Sequence, residues 1–394
     1  MMPFQDDKGQ GEDQPPGDNR KITPKDALGN EDEITPQEGP LGEDAVRNAP
    51  KALAQVSPAV PARVEPGYHR FADLERAIKA VALRYQGLIQ VESIGDSYEG
   101  RSLWMARVTH NVHDAHPDRP AVLMTGGQHA REHLSVEMCL FILQALAGNF
   151  GRDPDITTWL QREVVFIVFN VNPDGSEYDF DNGPGTWRKN RQPNPGSPHV
   201  GTDLNRNWGW HWDKYKDRQP QSADDYEGPS AFSAPETRAL AGFITEHAQE
   251  GSERIRAAID WHTQGEYVLY PFGYTEDLTV PGELTADDRR IFTRLARALS
   301  DGIPSANGQS YGVKQSSKYG IGGKSGVIID WEWGTHHILG FTIEMYPNSS
   351  ANMSNEEKFL PPARDISRET MRAFGAVRAL LREVDAMFGG GPRA

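Results

Sequence analysis

The chain has 394 residues, a length that suits one large α/β domain with an attached tail better than two equal domains. Its formal net charge of −15 argues against a nucleic-acid partner, because phosphate binding needs a basic face. The single cysteine, Cys139, excludes an intramolecular disulfide, and we expect it to be a small core residue.

The N-terminal segment differs in composition from the rest of the chain. Residues 1–50 hold twelve acidic and five basic side chains, with many Pro, Gly and Gln residues and few large apolar ones. Such a segment buries too little apolar surface to offset the entropy of ordering it. We therefore predict a disordered acidic tail over residues 1–60, a folded domain over 61–389 and a flexible terminus over 390–394.

The sequence carries no recognisable targeting or membrane segment. Its first residues lack the basic start and the apolar run of a secretory signal, and no stretch approaches the roughly 20 apolar residues of a membrane span. We expect a soluble protein with no membrane partner. It is either cytoplasmic or exported by a route that the sequence does not reveal.

Amphipathic and apolar segments alternate along the folded part. Helical periodicity predicts helices over 71–86, 136–146, 235–247, 287–299 and 366–388, the third with a capping box formed by Ser233 and Glu236. Short apolar runs predict buried strands over 103–108, 121–125, 164–170, 257–261 and 341–345. This alternation predicts an α/β fold, a single domain with a mixed, mostly parallel sheet flanked by helices.

Three potential metal ligands stand at the predicted ends of two strands. His129 and Glu132 follow the strand 121–125, and His262 directly follows the strand 257–261. Ligands in open α/β sheets gather outside the carboxyl ends of the strands. Two imidazoles and one carboxylate, with a fourth position left to water, are the ligand pattern of a catalytic zinc site. We predict that these residues bind one Zn²⁺ ion per chain.

Further motifs accompany these ligands. They are Asn172-Pro173-Asp174-Gly175, Trp187-Arg188-Lys189-Asn190-Arg191, Asp203-Leu204-Asn205-Arg206-Asn207-Trp208, Tyr270-Pro271-Phe272-Gly273-Tyr274 and Phe341-Thr342-Ile343-Glu344. In this order they resemble the zinc carboxypeptidase family, the carboxypeptidase A/B type and its bacterial secreted relatives, over residues 68–387. The resemblance implies that 61–389 is a zinc-dependent catalytic domain that hydrolyses the last peptide bond of peptides and proteins. Peptide or protein C-termini are then its partners, and we expect a monomer.

The resemblance also implies catalytic roles for two residues and a supporting role for a third. Glu344 matches the general base, and Asp330-Trp331 lies fourteen residues before it, as in the family pattern. Arg188 matches the residue that polarises the scissile carbonyl and stabilises the oxyanion. Asp203 matches the acid that accepts a hydrogen bond from the first ligand histidine and fixes its tautomer.

Substrate-binding residues follow from the same match. Asn205 and Arg206 resemble the pair that clamps the terminal carboxylate of the substrate, where a planar guanidinium makes two parallel hydrogen bonds. Such a clamp selects chain ends over internal bonds. Arg131 resembles the residue that contacts the peptide further from the cleaved bond.

One family residue has no direct counterpart. The tyrosine that closes over the substrate falls on Gly322 in this chain, within a glycine-rich segment. Tyr319 takes its place if the loop carries an insertion of three residues. Tyr311 is the alternative, although it aligns with an upstream structural tyrosine.

The terminal side-chain pocket can be read from the same match. Ile329 falls at the floor of the pocket, where an acid would indicate a preference for Lys and Arg, and Gly273 leaves room there. Both predict a preference for apolar or aromatic terminal residues. Lys324 and Glu332 lie nearby in the sequence, and an inward-pointing Lys324 would instead admit acidic ends.

Two other functions compete with this interpretation. An amidase or deacylase acting on cell-wall peptides or acylated amino acids would use the same zinc site, but it would not need the Asn205-Arg206 pair. A metal-free binding module would have lost a ligand or the base, and the sequence retains all of them.

Overall fold

The computed structural model of the protein describes residues 67–214, 219–249, 251, 253–304, 310–320 and 323–389. The predicted tail (1–60) and the predicted flexible terminus (390–394) lie outside these residues, as does Gly322. Most of the predicted folded domain is therefore described.

One mixed sheet of eight strands runs through the described residues, in the order β1-β2-β4-β3-β5-β8-β6-β7. The central strands β4, β3, β5 and β8 are parallel, β6 pairs antiparallel with β8 and parallel with β7, and β1 and β2 form an antiparallel edge. The predicted mixed, mostly parallel sheet is confirmed. The strands are β1 (Ile89–Asp96), β2 (Ser102–Val108), β3 (Ala121–Gly126), β4 (Val164–Val168), β5 (Ile255–Gly265), β6 (Tyr267–Tyr270), β7 (Gly312–Gln315) and β8 (Leu339–Asn348).

Helices cover both faces of this sheet. Alternate residues of the central strands point to opposite faces, so that Val122 and Met124 join one apolar core while Ala121 and Leu123 join the other. Helices α1, α2, α3, α6 and α9 pack on the first core, and α5 and α7 pack on the second. The helices are α1 (Phe71–Arg84), α2 (His133–Asn149), α3 (Pro154–Arg162), α4 (Pro173–Asn182), α5 (Pro235–Glu246), α6 (Ala286–Gly302), α7 (Ile328–His336), α8 (Asn355–Phe359) and α9 (Ile366–Phe388).

The five predicted helices and five predicted strands all exist, with shifted ends. Helix α1 ends at Arg84, two residues before the predicted end, and β4 ends at Val168 instead of residue 170. Strand β5 runs to Gly265, so His262 lies within the strand near its end. Helix α9 has the predicted bounds.

The predicted capping box of α5 is wrong. The helix begins after Ala234, which offers no side-chain cap. The Glu236 carboxylate instead accepts hydrogen bonds from Tyr98 N at 3.0 Å and Asn190 Nδ2 at 2.8 Å. The Ser233 hydroxyl accepts one from Asn207 Nδ2 at 2.9 Å. Both side chains that the local pattern assigned to the cap therefore form hydrogen bonds with residues distant in the sequence instead.

The described residues contain no single helix that is long and apolar enough to span a membrane. The pair α2 and α3 passes that test only when both helices are counted together across a bend of 103°, and α2 is buried in the core.

Candidate active site

Three side chains meet at the carboxyl end of the central strands. His129 Nδ1 lies 2.8 Å from Glu132 Oε1, His262 Nδ1 lies 2.8 Å from Glu132 Oε2, and the two Nδ1 atoms are 3.0 Å apart. All three side chains are buried, and their candidate ligand atoms lie within 4.8 Å of one another. The structure thus brings together the three predicted metal ligands.

The turn between β3 and α2 delivers two of these side chains. Gly127 has a φ of +72°, and a Cβ there would come within 2.5 Å of Asn170 Oδ1. Glycine is therefore the one residue that takes this conformation without strain. His129 lies in the turn, and Glu132 stands at the N-cap position of α2. His262 comes from β5, the strand next to β3.

Carboxylates hold the outer nitrogens of both imidazoles. His129 Nε2 lies 3.1 Å from Asp203 Oδ1, and His262 Nε2 lies 2.5 Å from Asp260 Oδ2. Each acid favours a proton on Nε2, which leaves the Nδ1 lone pair facing the cluster. Asp260, which the sequence analysis did not single out, thus serves His262 as Asp203 serves His129.

The residues present fit a zinc ion. Two neutral nitrogens and a carboxylate converging without a cysteine suit a catalytic rather than a structural zinc. Burial raises the pKa of Glu132, but His129 and His262 outweigh it and hold that pKa well below its usual value. Burial opposes charge on His262 as well, yet Asp260 and Glu132 raise its pKa well above normal. The surroundings therefore favour positive charge at this point.

Arg188 is fixed beside the cluster by Asp203. Its Nε and Nη2 atoms lie 2.9 and 2.8 Å from Asp203 Oδ2, and its Nη1 lies 3.8 Å from Glu132 Oε1. Burial raises the pKa of Asp203, but Arg188 and His129 reverse this and hold it well below normal. Asp203 is thus an anion with one oxygen on the histidine and the other on the guanidinium.

A cavity of about 190 Å³ opens beside the cluster. Seven of the predicted site residues line it: His129, Glu132, Arg188, Asn205, Arg206, Tyr319 and Glu344. Asn205 is held in place because its Oδ1 accepts a hydrogen bond from Ile328 N at 2.9 Å. Arg206 Nη1 donates to Asn205 O at 2.6 Å. Both residues come from a short 3₁₀ helix, Leu204–Arg206, that Asp203 caps.

Glu344 faces the cavity from β8, where it pairs in register with His262 of β5. The pKa of its carboxyl is raised to about 7, chiefly by burial, with His262 opposing the shift and Glu132 adding to it. A group with such a pKa can both accept and release a proton near neutral pH.

Two predicted contact residues stand at the edge of this cavity. The Tyr319 hydroxyl donates to Gln264 O, and its ring centroid lies 5.3 Å from that of Tyr267. Arg131 does not line the cavity, but its guanidinium lies 4.0 Å from the ring centroid of Phe359, which does. Arg131 also donates to Asp224 at 3.1 Å.

The residue predicted to form the floor of the pocket does not line the cavity. Ile329 is fully buried in the second core and is not among the lining residues. Leu269 and Val327 supply the apolar wall instead. Gly273 stands behind this wall, because a Cβ there would lie 3.1 Å from Val327 Cγ2 and 3.2 Å from Ser316 Oγ.

The sequence analysis missed several residues of the wall. They are Leu269, Ser316, Val327 and Thr342, together with Thr263, Gln264 and Phe359. A signal existed for Thr342, since residues two apart on a strand share a face and Glu344 follows it at that spacing. No such spacing identifies Ser316, Val327 or Phe359, which lie outside the strands. Lys324, which the sequence placed only near the pocket, lines the cavity.

Comparison with known proteins agrees with this geometry. The family model described as zinc carboxypeptidase matches residues 74–375. The zinc carboxypeptidase of Saccharothrix mutabilis subsp. capreolus is 36% identical over 322 residues, covering 82% of this chain and 70% of that protein. The inactive metallocarboxypeptidase ECM14 of Arthroderma otae is 30% identical over 255 residues, covering 61% of this chain and 43% of that protein.

A solved structure shows the same fold. The crystal structure of thrombin activatable fibrinolysis inhibitor superposes with a TM-score of 0.72 at 24% identity, covering 87% of this chain and 80% of that chain. The family match spans well over half of the residues, and the predicted resemblance is confirmed. The chain belongs to the zinc carboxypeptidase family, a family of zinc-dependent peptidases.

Proposed function

We propose that this protein removes single residues from the C-termini of peptides, with a preference for apolar or aromatic terminal residues. One observation carries the proposal. Glu344, Arg188 and Arg206 line the same cavity as His129 and Glu132, which form one cluster with His262. A proton acceptor, an oxyanion partner and a carboxylate-binding cation thus lie around one candidate metal site.

Glu344 is the proposed general base. His129, Glu132 and His262 would hold a Zn²⁺ ion, which would supply a Lewis acid able to lower the pKa of water and polarise a carbonyl. Glu344 takes the proton from the attacking water and later delivers it to the leaving amine. Its pKa of about 7 supports both steps, because the carboxyl is then neither too strong nor too weak an acid.

Arg188 is the proposed partner of the developing oxyanion. Its guanidinium is fixed through two contacts with Asp203, so it needs little reorganisation when negative charge appears on the scissile carbonyl. The remaining donors of a guanidinium stay free for the substrate, since it carries five N–H groups in all.

Arg206 is the proposed clamp for the terminal carboxylate. It lines the cavity together with Asn205, whose amide is fixed to the backbone of α7. A peptide amide or an internal peptide bond offers no carboxylate to this guanidinium. The clamp therefore supports a preference for chain ends that carry a free carboxylate.

The cavity wall supports the proposed side-chain preference. Leu269 and Val327 offer apolar surface, and Arg206 and Lys324 add positive charge. A terminal Lys or Arg would bury its cation next to like charges without a partner, which costs several kcal/mol. We expect Phe, Tyr, Leu and Met ends to be preferred over Lys and Arg ends.

Matched peptides test this function directly. We expect the zinc-loaded protein to release one terminal residue from a peptide ending in free-acid Phe, and to cleave the corresponding C-terminal amide far more slowly. A chelator should abolish both activities and added zinc should restore them. Mass spectrometry of the products measures the outcome. Equal cleavage of acid and amide would indicate an amidase instead, and activity that survives metal removal would contradict the proposal.

A further inference from the structure

Lys324 lines the cavity together with Arg206, and its ammonium lies over the ring of Tyr319, another lining residue. Its position is fixed at the backbone, since Lys324 N donates to Gly273 O at 2.7 Å. Gly273 N in turn donates to the buried carboxylate of Asp330 at 2.8 Å. The residue is therefore attached to the frame of the pocket.

The ammonium of Lys324 has unused hydrogen-bonding capacity. It donates one hydrogen bond to Tyr319 O and lies 4.7 Å from the centroid of the Tyr319 ring. Among the described residues, no carboxylate lies within salt-bridge distance of it. Because an ammonium carries three donors, two remain for a ligand.

The electrostatic surroundings make this cation costly to keep. The pKa of Lys324 is lowered to about 8, chiefly by burial and then by the neighbouring Arg206, while Glu344 counteracts this. A cation buried without a paired anion is unfavourable unless a ligand compensates it. An anion entering the cavity between Lys324 and the apolar wall would remove that cost.

We propose that Lys324 is a specificity-determining residue that admits substrates with an acidic terminal side chain, glutamate foremost, into this pocket. The inference rests on the proposed carboxypeptidase function and extends its substrate class. The two carboxylates of a C-terminal glutamate would then divide between two cations. Arg206 would bind the terminal carboxylate and Lys324 would bind the side chain.

The same position permits one competing role. Lys324 is also close enough to Glu344 to influence its charge, so it could act on the general base instead of on the substrate. The two roles differ in what they affect. A partner of the base changes the turnover of every substrate alike, whereas a specificity residue changes the ratio between substrates.

Three peptides that differ only in their last residue separate these roles. The last residues are Glu, its uncharged isostere Gln, and Phe, and kcat/KM is measured for each with the zinc-loaded protein. We expect wild type to cleave the Glu peptide faster than the Gln peptide. Lys324→Met should lower kcat/KM for the Glu peptide by roughly 10- to 100-fold, the loss of a charge-assisted hydrogen bond. It should raise the value for the Phe peptide, because a buried cation is replaced by an apolar group.

Two further variants serve as controls. Lys324→Arg keeps the positive charge and should retain part of the preference for Glu over Gln. Lys318→Met removes an exposed cation from the neighbouring 3₁₀ helix, Ser316–Lys318, and should leave all three values unchanged. Zinc content and circular dichroism of each variant show whether it is folded and loaded.

Each possible outcome either supports or overturns the specificity role of Lys324. An equal fall in kcat/KM for all three peptides with Lys324→Met would assign the residue to Glu344 and overturn the specificity role. Unchanged values would overturn it as well, as would wild type that does not distinguish Glu from Gln. If wild type cleaves none of the peptides, the proposed carboxypeptidase function itself fails, and the inference fails with it.

Discussion

Asp203 shows how one buried carboxylate can organise two parts of a catalytic site. One of its oxygens faces the outer nitrogen of His129, and the other receives the guanidinium of Arg188. Its backbone also begins the 3₁₀ helix that carries Asn205 and Arg206. The imidazole, the oxyanion partner and the carboxylate clamp are therefore positioned through a single residue. A shift of this carboxylate would disturb all three.

Glu344 provides the sharpest test of the chemistry at a single residue. Glu344→Gln keeps the shape of the side chain but removes its ability to accept a proton, so we expect kcat to fall by roughly 10²- to 10⁴-fold. Zinc content and KM should change little, because the residue belongs neither to the cluster nor to the carboxylate clamp. Steady-state kinetics and elemental analysis measure both. Near-normal turnover of the variant would require a different base.

The sequence predicted the reacting residues better than the pocket around them. His129 and Glu132 are three positions apart, so one turn of chain places both on the same ion, and local spacing was sufficient. The wall of the pocket comes instead from β6, β8 and the segments before α7. Which of these side chains point inward depends on how distant segments pack. The sequence therefore placed Ile329 in the pocket, whereas Val327 and Leu269 supply the apolar wall in the structure.

At the scale of elements, burial decided which strands could be recognised. The central strands β3 and β4 are buried along their whole length and read as continuous apolar runs. Strand β1 lies at the edge and mixes exposed with buried residues, and β6 and β7 have four residues each. Their patterns are too short or too polar to distinguish from loops. The missed strands lie towards the edges of the sheet.

The turn between β3 and α2 allows a prediction about an element. Gly127→Ala would place a methyl group within 2.5 Å of Asn170 Oδ1, in a backbone conformation with a φ of +72°. We expect a loss of about 1 kcal/mol or more in the free energy of unfolding. We also expect weaker zinc binding, because the turn carries His129 two residues later. Denaturant titration and competition with a chelator measure the two effects.

Gly151 offers a matched control for this turn. Its φ of +76° is similar, but a Cβ there would meet nothing within 4 Å, and it lies in the connection between α2 and α3. Gly151→Ala should lower stability through its backbone strain alone and leave zinc affinity unchanged. Equal zinc affinity in both variants would show that the turn does not set the position of His129.

On the scale of the whole molecule, the site contains cations although the chain as a whole is acidic. The full sequence carries a net charge of −15, yet Arg188, Arg206 and Lys324 line one cavity, together with the carboxyl groups of Glu132 and Glu344. Charges further away than about 8 Å are largely screened at physiological salt, so the local cations dominate inside a buried pocket. The overall acidity therefore does not prevent the site from binding a carboxylate. The acidic tail contributes much of the total without lying among the described residues.

Glu163 is a buried carboxyl group that the proposed chemistry does not use. It follows α3, its side chain is fully buried, and neither carboxylate oxygen has a hydrogen-bond partner among the described residues. Burial raises its pKa well above the usual value, Asp385 adds to this, and Arg162 opposes it. The folded protein thus holds this proton more tightly than the unfolded chain does. Stability from this group is present below the ordinary glutamate pKa of 4.5 and is lost as the pH rises towards the folded value.

Replacing this carboxyl with an apolar side chain should therefore stabilise the fold, and increasingly so at higher pH. Glu163→Met fills a similar volume without a polar group, and we expect a gain of about 1–3 kcal/mol at pH 5, where the wild-type carboxyl is neutral but unpaired. The gain should grow at pH 7 and pH 9. As the pH rises, wild-type Glu163 ionises more readily in the unfolded chain than in the folded protein, which lowers the stability of the wild type but not that of the variant. Urea unfolding of the zinc-loaded proteins at the three pH values measures it. Glu163→Gln, which cannot ionise, should share the pH trend but not the gain at pH 5. If the stability difference between Glu163→Met and wild type stays constant with pH, Glu163 has the same pKa in the folded and unfolded states. If Glu163→Met is less stable than wild type, the carboxylate oxygens are satisfied by water in the folded protein.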